Sequence, residues 1–174
     1  MATISFPESN PPFCSSITMQ KRKSKVTVIG IGNTLMRDDG VGIEVIELLK
    51  QSRLPSDVVV DIIDGGLAPD LSVMIEEGID KLVIIDAIQA GGTSGTVYHF
   101  TADVLEKSAH SGSPHNLGLK QSLALMKVIG ILPPETIIIG VEPADMGFGN
   151  GLTPGVRAAL PQIVEAVQKE IRLG

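Results

Sequence analysis

Four aspartates stand where apolar strands would end. Asp38 and Asp39 follow GIGNTLMR, Asp64 follows VVVDII, and Asp86 follows KLVII. In an open α/β sheet, ligands bind beyond the carboxyl ends of the strands, where such loops converge. Carboxylates gathered there repel one another unless they are protonated or bridged by a cation. Oxygen ligands alone suit magnesium or calcium, whereas an added histidine shifts the preference towards nickel or zinc. The chain has three histidines, His99, His110 and His115. His99 falls within a strand pattern and reads as a surface or satisfied side chain. His110 lies in a Ser/Gly-rich stretch and reads as solvated. His115 follows Ser113-Pro114, a helix start with serine as N-cap and proline in the first turn. The positive end of the helix dipole there keeps an imidazole neutral and able to ligate. Geometry alone leaves His115 open between a ligand and an ordinary first-turn histidine.

Each acid also has a plain structural role available. Asp38 is assigned to capping the helix that follows it. Asp64, just before Gly65-Gly66, reads at least as well as a turn residue. Asp86 is harder to explain away, because a carboxylate ending a fully apolar strand needs a partner. No serine pairs with a histidine as a nucleophile would, and Cys14 lies in an atypical N-terminal stretch. A metal ion is the natural partner for such a set of carboxylates. The glycines support no nucleotide reading. Gly30 and Gly32 match half of a dinucleotide fingerprint, but Leu35 occupies the third glycine position and no Walker sequence is present.

The elements that must position these residues follow from periodicity. Short β-branched runs at 26–29, 58–63, 82–85 and 137–141 predict buried strands. Between the first two, 41–50 has helical spacing, with Val41, Val45, Leu48 and Leu49 as its inner stripe. A shorter helix is predicted over 69–77, with Leu71 and Ile75 one turn apart. After Ser113-Pro114, the inner stripe is Leu119, Leu123 and Met126. Thr153-Pro154 opens a last helix, in which Pro161 predicts a kink or break. The glycine-rich stretch after Asp86 is too short for a helical crossover, so the strand over 96–100 is expected to run antiparallel. The fold class expected is therefore α/β, a three-layer α/β/α sandwich around a mostly parallel, mixed five-stranded sheet.

Composition bounds the rest. The 174 residues fit one domain; 43% are apolar, with one Tyr, four Phe and no Trp, so Val, Ile and Leu must fill the core. A net charge of −6 and a pI near 5.0 argue against nucleic acid or an anionic membrane as partner. A single cysteine excludes an internal disulfide, and no apolar run reaches membrane-spanning length. A cytoplasmic location is expected. Residues 1–24 read as a mobile tail and 25–174 as the single domain, with Met19 an alternative translation start to Met1. The stretches 91–95 and 145–151 read as flexible loops beside the cleft, either partner contacts or plain connectors. No helix pattern demands a dimer, so a monomer is expected.

Five blocks carry a resemblance. GIGNTLMRDDGVG, IIDGGLAPDL, LVIIDAIQAGGTSG, SGSPHNLGLK and GVEPADMGFGNGLTP together resemble, in order, the hydrogenase maturation endopeptidases. The match runs from about Val26 to the last helix and omits only the tail. It implies a peptidase that clips a C-terminal extension from a nickel–iron hydrogenase large-subunit precursor once nickel is in place. It also implies the same mixed-sheet sandwich. The family's metal-binding positions fall on Asp39, Asp86 and His115, the first being Glu in some members. Those three are then the catalytic and metal-binding candidates, with no protein nucleophile, and the nickel comes with the substrate. Whether that ion performs chemistry or only signals loading stays open, and Asp38 as a base is a further alternative. A rival from another class is a non-enzymatic nickel-sensing or chaperone module with the same site. A dinucleotide-dependent oxidoreductase is a weaker one.

Overall fold

The protein was analysed as a computed structural model. It describes residues 22–67, 70–107 and 114–173; the side chains of 106–107 and 114–117 lie outside the description. Five strands form one sheet: β1 (Ser24–Ile31), β2 (Val58–Gly66), β3 (Lys81–Ala87), β4 (Val97–Thr101) and β5 (Glu135–Val141), in the order β2-β1-β3-β5-β4. The first three and β5 run parallel, and β4 pairs antiparallel with β5, Phe100 standing opposite Ile138. The stretch between β3 and β4 is too short to hold the helix that a parallel return would need.

Alternation along the strands sorts the core into two layers. Val26, Val28, Val83 and Ile85 pack beneath α1 (Val41–Lys50) and α5 (Pro154–Arg172). On the other face, Ile29, Leu82 and Ile84 meet Leu71 of α2 (Leu71–Met74), Leu105 of α3 (Ala102–Lys107) and Leu119, Leu123 and Met126 of α4 (Pro114–Ile129). The three-layer α/β/α sandwich with a mixed five-stranded sheet is thus the fold.

Several details depart from the expectation. The inner stripe of α1 is Val41, Val45, Ile46 and Leu49, and Leu48 is exposed. Gly30 explains the shift: a Cβ there would come within 2.9 Å of the Ile46 side chain, which fills the space a larger strand residue would take. The helix expected over 69–77 is one turn, Leu71–Met74, capped by Asp70, which accepts the Ser72 N–H. Helix α5 continues unbroken through Pro161. That proline is exposed, so water can take the carbonyl left without its donor, while Val156, Ile163, Val167 and Ile171 anchor both halves of the helix. Helix α4 exposes Leu125, Val128 and Ile129 on one face, a surface that the helix patterns behind the monomer expectation did not mark. At the N-terminal end, Arg22 and Lys23 already bond to the fold, through Asp80 and the Ser56 carbonyl.

Candidate active site

The glycines after β1 let backbones touch. A Cβ on Gly42 would lie 2.3 Å from the Ile31 carbonyl oxygen and 2.5 Å from that of Ile85, and one on Gly32, at φ +141°, would strike the Asp39 carbonyl. The start of α1 therefore sits directly on the ends of β1 and β3. The 3₁₀ turn Arg37–Gly40, just before α1, is thereby pressed against the carboxyl end of β3. This close approach accounts for the half-matched glycine pattern without a phosphate.

The two adjacent aspartates of that turn are both buried, and they do different work. The Asp38 carboxylate accepts four hydrogen bonds: from the N–H groups of Ala144 (2.8 Å), Asp145 (3.1 Å) and Thr153 (2.7 Å), and from the Thr153 hydroxyl (2.8 Å). It does not cap α1, whose N-cap is Gly40 with no side-chain bond. Instead it ties down the loop 142–153 that enters α5. With its lone pairs so engaged, Asp38 is a poor candidate for a base. Asp39 faces elsewhere. Its Oδ2 accepts the Asn33 N–H at 3.0 Å, and its charge reaches Asp86 at the end of β3.

Asp86 is fully buried, and neither carboxylate oxygen accepts a hydrogen bond. Burial pushes its pKa well above the ordinary value, and the Asp39 charge pushes it further; the nearby Ala87 amide offsets little of this. Holding an ionised carboxylate in such a place costs several kcal/mol unless a cation or proton joins it. Asp64, by contrast, is exposed and accepts the Gly66 N–H at 2.9 Å, a turn residue.

A carboxylate that the sequence reading missed lies at the end of β5. Glu142 is buried and accepts the Ala90 N–H (2.9 Å), the Gly91 N–H (3.3 Å) and the Tyr98 hydroxyl (2.8 Å). Burial alone would raise its pKa, but the amides of Ala90, Gly92 and Gly91 and the Tyr98 hydroxyl together hold it below the usual value. Burial raises the Tyr98 pKa, and the Glu142 carboxylate to which its hydroxyl donates raises it further. The signal was available: Glu142 ends an apolar strand, as Asp86 does. Glu142 and Asp38 thus fasten the two stretches, 91–95 and 145–151, that read as flexible.

Of the histidines, His99 on β4 is half-exposed, with Nδ1 3.9 Å from Glu170 Oε1, and sits two strands away from β3, level with Ile85. His110 lies outside the described residues. Residue 115 is the second of α4, one turn before Leu119, and its side chain lies outside the description. Among the described residues, no three His, Cys, Asp or Glu side chains gather as a metal-binding group. The chain folding alone brings Asp39 and Asp86 to one place. A buried pair of carboxylates, one lacking any hydrogen bond, is a donor set that fits a cation.

The chain was compared with known families, proteins and solved structures. The family model described as hydrogenase maturation protease matches residues 43–170. The hydrogenase 2 maturation protease of Escherichia coli K12 is 31% identical over 85% of this chain and 91% of its own length. The hydrogenase expression/formation protein HupD of Rhizobium leguminosarum bv. viciae is 30% identical over 98% of this chain and 80% of its own. Among solved structures, the hydrogenase maturating endopeptidase HybD from E. coli superposes with a TM-score of 0.75 at 30% identity, covering 85% of this chain and 92% of that one. A family model matching most of the chain, and relatives at 30% identity or more that cover most of it, leave one conclusion: this protein belongs to the hydrogenase maturation protease family.

Proposed function

We propose that this protein is the endopeptidase that removes the C-terminal extension of a nickel–iron hydrogenase large-subunit precursor after nickel insertion. It reads the precursor's nickel through Asp39, Asp86 and His115. The observation that carries this reading is Asp86, a carboxylate buried completely with both oxygens lacking hydrogen-bond donors and with the Asp39 charge beside it. A divalent ion bridging the two carboxylates would relieve both the burial cost and their mutual repulsion. The nickel belongs to the substrate, so the two carboxylates discriminate loaded from unloaded precursor. A histidine completes a donor set that prefers nickel over magnesium or calcium. In the loaded complex the ion supplies Lewis acidity to the scissile carbonyl and to an attacking water. The protein's part is to hold Asp39 by the Asn33 amide and Asp86 by the packing of β3. The chain acts in the cytoplasm as a monomer on this single protein partner, with no role for nucleic acid, given its net charge of −6, or for a membrane. No helix among the described residues is long and apolar enough to cross one.

The test is to mix the protein with nickel-loaded precursor and weigh the products. A precursor shortened by one C-terminal segment is the expected result. Complex formation without shortening would replace the peptidase by a nickel-sensing chaperone.

A further inference from the structure

Two large apolar side chains stand exposed beside the site, on backbone that is firmly held. Phe148 is 82% exposed and Leu35 is 54% exposed. Leu35 lies between β1 and the turn that carries Asp39, and Phe148 lies in the loop 142–153. Their segments are bonded together, the Gly149 N–H to the Leu35 carbonyl at 2.9 Å and the Arg37 N–H to the Gly149 carbonyl at 3.0 Å. A buried Asp38 clamps the same loop at Ala144, Asp145 and Thr153. Arg37 is paired with Asp145 at 3.2 Å, so the neighbouring charges cancel locally. Two apolar side chains in water, on segments fixed by this many bonds, are a feature that packing within the chain does not explain.

What covers it follows from where it sits. Leu35 precedes the turn that places Asp39, and Phe148 lies in the loop bonded to it, so a polypeptide reaching Asp39 and Asp86 from this side meets both. Locally neutral surroundings favour an apolar residue of that polypeptide over a charged one. We propose that Leu35 and Phe148 form a subsite that grips an apolar side chain of the precursor next to the scissile bond. The proposal rests on the peptidase reading of this edge and names how its substrate is held. The apolar face of α4 is a different case, since nothing in the structure indicates what would cover it.

Leu35→Ser, Phe148→Ser and the double variant test the subsite, with Val73→Ser on α2 and Val128→Ser on α4 as controls. Those valines are 78% and 84% exposed and belong to neither loop. With nickel-loaded precursor, the double variant should raise KM by about tenfold or more and leave kcat within about twofold, the signature of lost substrate binding. The controls should leave both constants unchanged. A KM for the double variant within about twofold of wild type, or an equal rise in the controls, would overturn the subsite. Should the wild type leave the precursor uncut, the peptidase reading fails separately. The same series is then read as dissociation constants for the nickel-loaded precursor: a weakening confined to the Leu35 and Phe148 variants upholds the grip, and equal values reject it.

Discussion

Strand β3 carries a buried ionisable side chain near each end, and the two are treated in opposite ways. At its start Lys81, 3% exposed, donates to Glu170 Oε2 at 3.0 Å and to the Glu170 carbonyl at 3.1 Å, and pairs with Glu135 at 3.1 Å. Near its end Asp86 is buried as deeply and accepts no hydrogen bond. The fold is able to satisfy buried charges, because it does so at Lys81 and, on the same edge as Asp86, at Asp38 and Glu142. A neglected partner at one position is therefore informative. The amino edge of the sheet uses charge to fasten the last helix; at the carboxyl edge the Asp86 carboxyl is left without a hydrogen-bond donor.

Replacing the unsatisfied charge should have the largest effect on activity and little on the fold. Asp86→Asn is expected to slow precursor processing at least about 100-fold, near 2.7 kcal/mol in the barrier, with an unfolding temperature at or above wild type. The pH dependence should separate the two proteins as well. The folded-state pKa of Asp86 is raised, so the metal-free protein binds that proton more tightly folded than unfolded. Its stability should fall as pH rises from about 4 through the elevated value, and Asp86→Asn should lack that part of the fall. Thermal melts across pH, with chelator present, check it.

At the satisfied end the signs reverse. Lys81→Met removes the one cation shared by Glu135 and Glu170 and should cost about 2 kcal/mol in denaturant unfolding. This is below the usual cost of breaking a buried pair, because Glu135 is largely exposed. Processing by the folded fraction should not change. Glu142→Gln should cost about 1–2 kcal/mol at neutral pH through weakened bonds to a charged acceptor. Since the folded pKa of Glu142 is lowered, its contribution is present above the unfolded value and lost as pH drops. The gap between variant and wild type should therefore close below about pH 4. Smallest of all, Arg22→Ala deletes an exposed partner of Asp80 and should leave the melting temperature and the processing rate unchanged within error.

The fold was largely legible because strand and helix periods are clean in a chain cored by Val, Ile and Leu. Strand positions, the span of α1 and the antiparallel β4 all follow from runs of apolar residues and one short connection. The failures are tertiary. No helical period distinguishes Ile46 from Leu48 until the missing Cβ of Gly30 is brought against α1. Pro161 survives because packing on both sides outweighs one lost hydrogen bond. At the site, the apolar run before Asp86 singled it out, and applying the same rule to β5 would have found Glu142. The division of labour between Asp38 and Asp39 was only half visible: a structural role for Asp38 was expected, but not a partner 106 to 115 residues away.

The central claim is that the carboxyl edge of β3 waits for the metal of its substrate. Processing of nickel-loaded and metal-free precursor by the wild-type protein, followed by mass spectrometry, tests it most directly. The account predicts rapid shortening of the loaded form and at least about 100-fold slower shortening of the metal-free form. Equal rates on both would contradict it, because Asp39, Asp86 and His115 would then have no ion to read.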